Sequence, residues 1–159
     1  PDELQLPEQP LLLLLEGLEK PGNLGAIFRS AESVGVDAVL CADLVTDIYN
    51  PNVIRASQGA IFSLQFASGT GEEMLKLLQT ANIPLVATTP DAAQSLWDVP
   101  LAQAVAVAMG SEKDGLTPEL LAAATYRCSI PQQGTSDSLN VSVATALLLY
   151  EALRQRRLA

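Results

Sequence analysis

A chain of 159 residues is one domain's worth, and 48% hydrophobic residues exclude a generally disordered polypeptide. Aromatic residues are only 4%, so the core has to be aliphatic, which favours a layered α/β protein over a sandwich. The net charge of −9 speaks against nucleic-acid binding by bulk charge, and the absence of histidine removes the usual general base and the commonest zinc ligand.

Residues Pro1 to Pro10, rich in Pro, Glu and Gln, read as linker, and a start without Met suggests a domain cut from something longer. Leu11 to Leu15 is an unbroken apolar run, as expected for a strand buried on both faces. It is too short for a signal-peptide core, and no stretch is long enough to span a membrane. Glu16 to Gly22 reads as a loop. Asn23 to Val34 reads as a helix that turns Ile27, Phe28, Ala31 and Val34 inward. A strand is expected at Ala38 to Cys41, a turn at Asp47 to Asn52, a short helix near Val53 to Ser57 and a strand at Ser63 to Phe66.

Glu72 to Thr80 is helical in pattern, and Pro84 to Ala87 is a strand ended by Thr88-Thr89-Pro90. Val105 to Met109 is the next strand. Thr117-Pro118-Glu119 opens a helix, with Thr as cap and Pro at its first position. Arg127 to Ile130 forms a last short strand, and Asn140 to Arg154 the final helix. The alternation predicts a mostly parallel sheet with helices on both faces and ligands beyond the carboxyl ends of the strands. Cys41 and Cys128 have no metal-ligand spacing and read as buried, reduced thiols of a cytoplasmic protein. No metal site is expected.

Three polar clusters follow strand ends. The first holds Gly17, Gly22, Asn23, Gly25 and Arg29. Asn23 either caps the helix or faces a ligand. Arg29, on a helix otherwise small or apolar, either pairs with an acid such as Glu32 or faces an anion. The second is Gly110-Ser111-Glu112-Lys113-Asp114-Gly115, where glycines bring backbone close to a ligand or simply make a solvated turn. The third is the loop from Ile130 to Asn140, in which Ser138 and Asn140 are good caps for the helix that follows. Loops of that length inside a compact domain usually bind something. Gly69-Thr70-Gly71 precedes a helix, but Met74 occupies the place of the third glycine, which argues against a nucleotide-dependent oxidoreductase.

Together the clusters resemble the three motifs of the SpoU/TrmH-type RNA ribose 2′-O-methyltransferases of the SPOUT superfamily. Asn23-Leu24-Gly25-Ala26-Ile27-Phe28-Arg29 is similar to the first motif and Met109 to Leu116 to the second. Ile130-Pro131 with Ser138-Leu139-Asn140-Val141-Ser142-Val143-Ala144 is similar to the third. Order and spacing agree across Leu11 to Arg154. The resemblance implies an α/β fold whose carboxyl-terminal part threads a deep trefoil knot, a catalytic domain at 11–159, and a homodimer. It implies methylation of a ribose 2′-hydroxyl in tRNA or rRNA by S-adenosylmethionine, which leaves S-adenosylhomocysteine. The cofactor would be held at Thr88, Gly110, Ser111, Ile130, Gln132, Ser138, Leu139 and Asn140, largely through backbone groups. Gln132-Gln133 depart from the apolar residue common there.

By the same resemblance Arg29 is the principal catalytic residue, supported by Asn23, Glu112, Ser138 and Asn140. Arg29 has been cast as the base in this family. A guanidinium rarely yields its proton and is better suited to gripping the adjacent phosphate and stabilising the developing alkoxide. Arg29 and Arg55 would bind RNA, although Arg55 also reads as half of a surface ion pair. Many members carry a further RNA-recognition domain, and the acidic, linker-like start suggests that one is missing here. The alternative is a catalytically silent RNA- or cofactor-binding domain.

Overall fold

The computed structural model describes residues 4–159. The start of the linker-like segment, residues 1–3, lies outside the described residues. The first strand, β1 (Leu11–Glu16), is buried along its whole length. Successive side chains of a strand point to opposite faces. Leu11, Leu13 and Leu15 therefore enter one core while Leu12 and Leu14 enter another. Each such leucine contributes roughly 1.5–3 kcal/mol by burial. Helices α1 (Pro21–Val34), α2 (Pro51–Ser57) and α5 (Val141–Leu158) cover the first face through Leu24, Ile27, Phe28, Val53 and Leu148. Helices α3 (Gly71–Thr80) and α4 (Pro118–Ala123) cover the second through Met74, Leu78 and Leu120.

The remaining strands are β2 (Ala38–Ala42), β3 (Phe66–Gly69), β4 (Leu85–Thr88), β5 (Gln94–Ser95), β6 (Val105–Met109) and β7 (Tyr126–Ser129). They form one seven-stranded sheet in the order β3-β2-β1-β6-β4-β7-β5. Every strand pairing is parallel. Because β6, β4 and β7 are neighbours, the loops after Met109, Thr88 and Ser129 leave the sheet side by side at one edge. That placement builds the site.

The expected strand at Ser63 to Phe66 is displaced. Ala60–Ser63 is a 3-10 turn, and β3 begins at Phe66, opposite Val39 of β2. Pairing to β2 decides the strand, not the apolar residues Leu64 and Phe66. The two-residue β5 and a 3-10 turn at Leu96–Asp98 carry no apolar signal long enough to be read. Ahead of β1, the Gln5 amide donates to Gln65 Oε1 at 2.9 Å, and Gln65 Nε2 donates to the Gln5 carbonyl at 3.0 Å.

Helix α1 starts earlier than expected, with Pro21 in its first turn and Lys20 as a cap that makes no side-chain bond. Asn23 is therefore not the cap but a residue inside the first turn, its amide free to bond elsewhere. One turn on, α1 meets α2 at very short range. A Cβ added to Gly25 would lie 2.4 Å from Ala56 Cβ and 2.7 Å from the Val53 carbonyl oxygen. Only glycine lets the two helices approach that closely.

Candidate active site

A cleft of about 720 Å³ opens where the loops after β4, β6 and β7 converge with the loop ahead of α5. Thr88, Gly110 and Ser111 line it on one side, and Ile130, Gln132, Ser138 and Leu139 on the other. Asn140 does not line it. Four carboxylates border the cleft, Asp91, Glu112, Asp114 and Asp137, against one cation, Lys113. Asp91 and Asp137 carry no signal of their own in the sequence, although each stands in a loop that follows a strand end. The opening is thus tuned for a ligand carrying positive charge.

The wall formed by residues 110–116 is a tight turn. Ser111 and Gly115 exchange two backbone hydrogen bonds, at 3.2 and 3.0 Å, and the Asp114 amide donates to the Ser111 hydroxyl at 3.0 Å. Gly110 is squeezed against the far side of its own turn, where an added Cβ would stand 2.1 Å from the Gly115 carbonyl carbon. The glycine there serves close approach of backbone to backbone.

Beside the cleft, three segments distant in sequence are joined by their amides. The Asn140 side chain caps α5, its Oδ1 accepting from the Ser142 amide at 2.9 Å and the Ser142 hydroxyl at 2.5 Å. With Oδ1 so engaged, Nδ2 faces outward and donates to Asn23 Oδ1 at 3.2 Å. Asn23 Nδ2 then donates to Glu112 Oε1 at 2.8 Å. A carboxylate can only accept, so Glu112 fixes the direction of the whole relay. Asn140 therefore both caps α5 and takes part in the relay. Glu112 belongs to relay and cleft at once.

Arg29 stands apart from this relay. Its side chain is exposed and makes no ion pair among the described residues, with Glu32 or any other acid. Six residues along a helix carry a side chain about 9 Å forward and about 120° round the axis from Asn23. Arg29 follows Ala26 and adjoins Ser30, both of which line a shallow apolar groove completed by Ser142, Val143, Leu147 and Tyr150. Arg55 makes no ion pair among the described residues either; its guanidinium donates to Asn52 Oδ1 at 3.1 Å.

On the inner wall, the Thr88 hydroxyl is buried beside Cys128 on β7. Burial pushes the Cys128 thiol above its usual range, with the Thr88 hydroxyl pulling slightly the other way. Both cysteines are free and buried. No group of three or more acidic, Cys or His side chains among the described residues is arranged to hold a metal ion. No described helix is long and apolar enough to cross a membrane.

Residues 10–150 match the model of a family described as the SpoU rRNA Methylase family. An uncharacterized tRNA/rRNA methyltransferase of Synechocystis is 40% identical over 152 residues, covering 94% of this chain and 55% of that protein. An RNA 2′-O ribose methyltransferase of known structure superposes with a TM-score of 0.91 at 50% identity, covering 98% of this chain and 60% of that one. The SpoU methyltransferase AviRb of Streptomyces viridochromogenes, solved with the cofactor AdoMet, gives a TM-score of 0.93 at 30% identity, covering 99% and 65%. The chain thus spans 55% to 65% of the length of these relatives.

Proposed function

Because the chain belongs to the SpoU rRNA methylase family, we propose that it transfers a methyl group from S-adenosylmethionine to a ribose 2′-hydroxyl of rRNA or tRNA. The observation that carries this reading is the Asn140–Asn23–Glu112 relay. It gathers polar residues from all three motif-like segments at the rim of one cleft.

The cleft suits the cofactor on three counts. Its volume falls in the range of small-molecule sites, roughly 300–1,000 Å³. Its four acids complement a sulfonium and an ammonium group. Its walls at Gly110, Ser111, Ile130 and Leu139 offer backbone and apolar surface for a nucleoside. Bound there, the cofactor supplies an activated methyl group and leaves as S-adenosylhomocysteine.

The protein's own part is alignment and charge. Asn140 and Ser138 orient the ribose hydroxyl, and Glu112 holds Asn23 in register. Arg29 grips the neighbouring phosphate and stabilises charge developing on the 2′-oxygen. Arg55 adds a second phosphate contact.

The reading extends to a homodimer seated on the groove between α1 and α5. Val143, Leu147 and Tyr150 stay about half exposed there, an apolar patch that a monomer leaves in water. Arg29 directly precedes Ser30 of that groove, and in this reading a second copy brings each guanidinium toward the partner's cleft. A deep trefoil knot is part of the same reading, supported by a strand order in which β7 returns between β4 and β5 before α5 begins. The two free thiols support a reducing, cytoplasmic setting.

Incubation with S-adenosylmethionine labelled in its methyl group and unmodified rRNA and tRNA transcripts tests the proposal. Label is expected to enter RNA, and to enter it about 100-fold more slowly once Asn23 is replaced by Ala. A chain that binds S-adenosylhomocysteine yet labels neither RNA would instead be a silent binding domain.

A further inference from the structure

Glu16 is 5% exposed at the carboxyl end of β1 and does not line the cleft. A carboxylate so placed is costly unless its oxygens are bonded. Both are taken by one residue. The Thr117 amide donates to Oε2 and the Thr117 hydroxyl to Oε1, each at 2.8 Å, across 101 residues of sequence. Thr117 directly follows the turn of residues 110–116 and caps α4.

The next residue of the strand end, Gly17, meets the other side of that turn. A Cβ on Gly17 would sit 3.6 Å from Ser111 Cβ, ordinary contact distance. Glu16 therefore holds the carboxyl end of the segment that walls the cleft and carries Glu112, while Gly17 lies beside its other end without a bond to it. The nearby Asp43 is engaged separately, accepting from the Gly71 amide at the start of α3 at 2.8 Å. It does not compete for Thr117.

We infer that Glu16 is a positioning residue: through Thr117 it sets the 110–117 segment, and with it the cofactor wall and the Glu112–Asn23 contact. The inference rests on the proposal that the cleft takes S-adenosylmethionine. In this role the Glu16 bonds govern ligand affinity and local order of the segment, and leave the central sheet unaltered.

The test uses S-adenosylhomocysteine calorimetry and amide hydrogen exchange of the free protein, on wild type, Glu16→Gln, Thr117→Val and Thr117→Ser. Glu16→Gln keeps one acceptor oxygen where the carboxylate offers two. It is expected to weaken S-adenosylhomocysteine about tenfold, the scale of one lost bond to a charged acceptor. Exchange at residues 111–117 is expected to quicken by a similar factor, with Val105–Met109 unchanged. Thr117→Ser retains both bonds and restores wild-type behaviour. Thr117→Val reads the same segment with the carboxylate intact, should Glu16→Gln fail to fold. Folded Glu16→Gln binding within twofold of wild type, or exchange that quickens equally in β6, overturns the inference. Wild type that does not bind S-adenosylhomocysteine at all overturns the proposed function first.

Discussion

Asn23 Nδ2 donates to Glu112 Oε1 at 2.8 Å, although 89 residues separate them in the chain. This bond makes one unit of the helix after β1 and the turn after β6. Replacing Asn23 by Ala leaves two exposed partners free to find water, so stability falls by less than about 1 kcal/mol. Methyl transfer is expected to fall about 100-fold, because the relay positions groups and does not carry the fold. Asn23→Ala combined with Glu112→Ala should cost little more than the worse single variant. Steady-state rates read at temperatures well below each variant's melting point check this.

Arg29 is expected to act across a dimer. Arg29→Lys keeps charge but loses the planar two-pronged grip, and single-turnover methylation should drop at least about tenfold. Inactive Arg29→Ala and inactive Asn140→Ala chains, unfolded together and refolded, should regain activity, since half of the sites in mixed dimers then carry neither change. No recovery on mixing would place Arg29 with the relay of its own chain.

Two glycines of α1 should respond oppositely to alanine. A Cβ on Gly25 collides with Ala56 and the Val53 carbonyl, so Gly25→Ala is expected to cost about 1–3 kcal/mol. A Cβ on Gly22 meets nothing within 4 Å, and Gly22→Ala should stabilise by about 0.5–1 kcal/mol. Urea denaturation of both variants measures the difference.

The unbroken runs Leu11–Leu15 and Val105–Met109 announce central strands because such strands are buried on both faces. Edge β5 gives no such sign, being two polar residues that pair with β7 alone. Ala67, Ser68 and Gly69 likewise carry little strand preference, and only their partners on β2 make them a strand. The polar clusters are visible in sequence, but their partners are not. Asn23 and Asn140 meet across 117 residues, and a single chain leaves no local trace of such pairings. Glu16 reads as loop for the same reason, since nothing near it in sequence says that Thr117 will receive its buried carboxylate.

Burial pushes the Cys41 thiol up to about 12 from an ordinary 9.0, only partly offset by Ser68. The folded state then holds its proton more tightly than the unfolded chain does. The contribution is fully present below about pH 9 and is lost as pH rises toward 12. Equilibrium unfolding across that window should show falling stability, with the fall reduced in Cys41→Ala. Neither thiol should react with a disulfide reagent at pH 8 until the chain is unfolded.

The most direct measurement is where the transferred methyl resides. RNA labelled by this protein from methyl-labelled S-adenosylmethionine should yield, on complete alkaline hydrolysis, label in dinucleotides that resist cleavage, because a methylated 2′-oxygen cannot attack its neighbouring phosphate. Label released in mononucleotides would put the methyl group on a base and contradict the account.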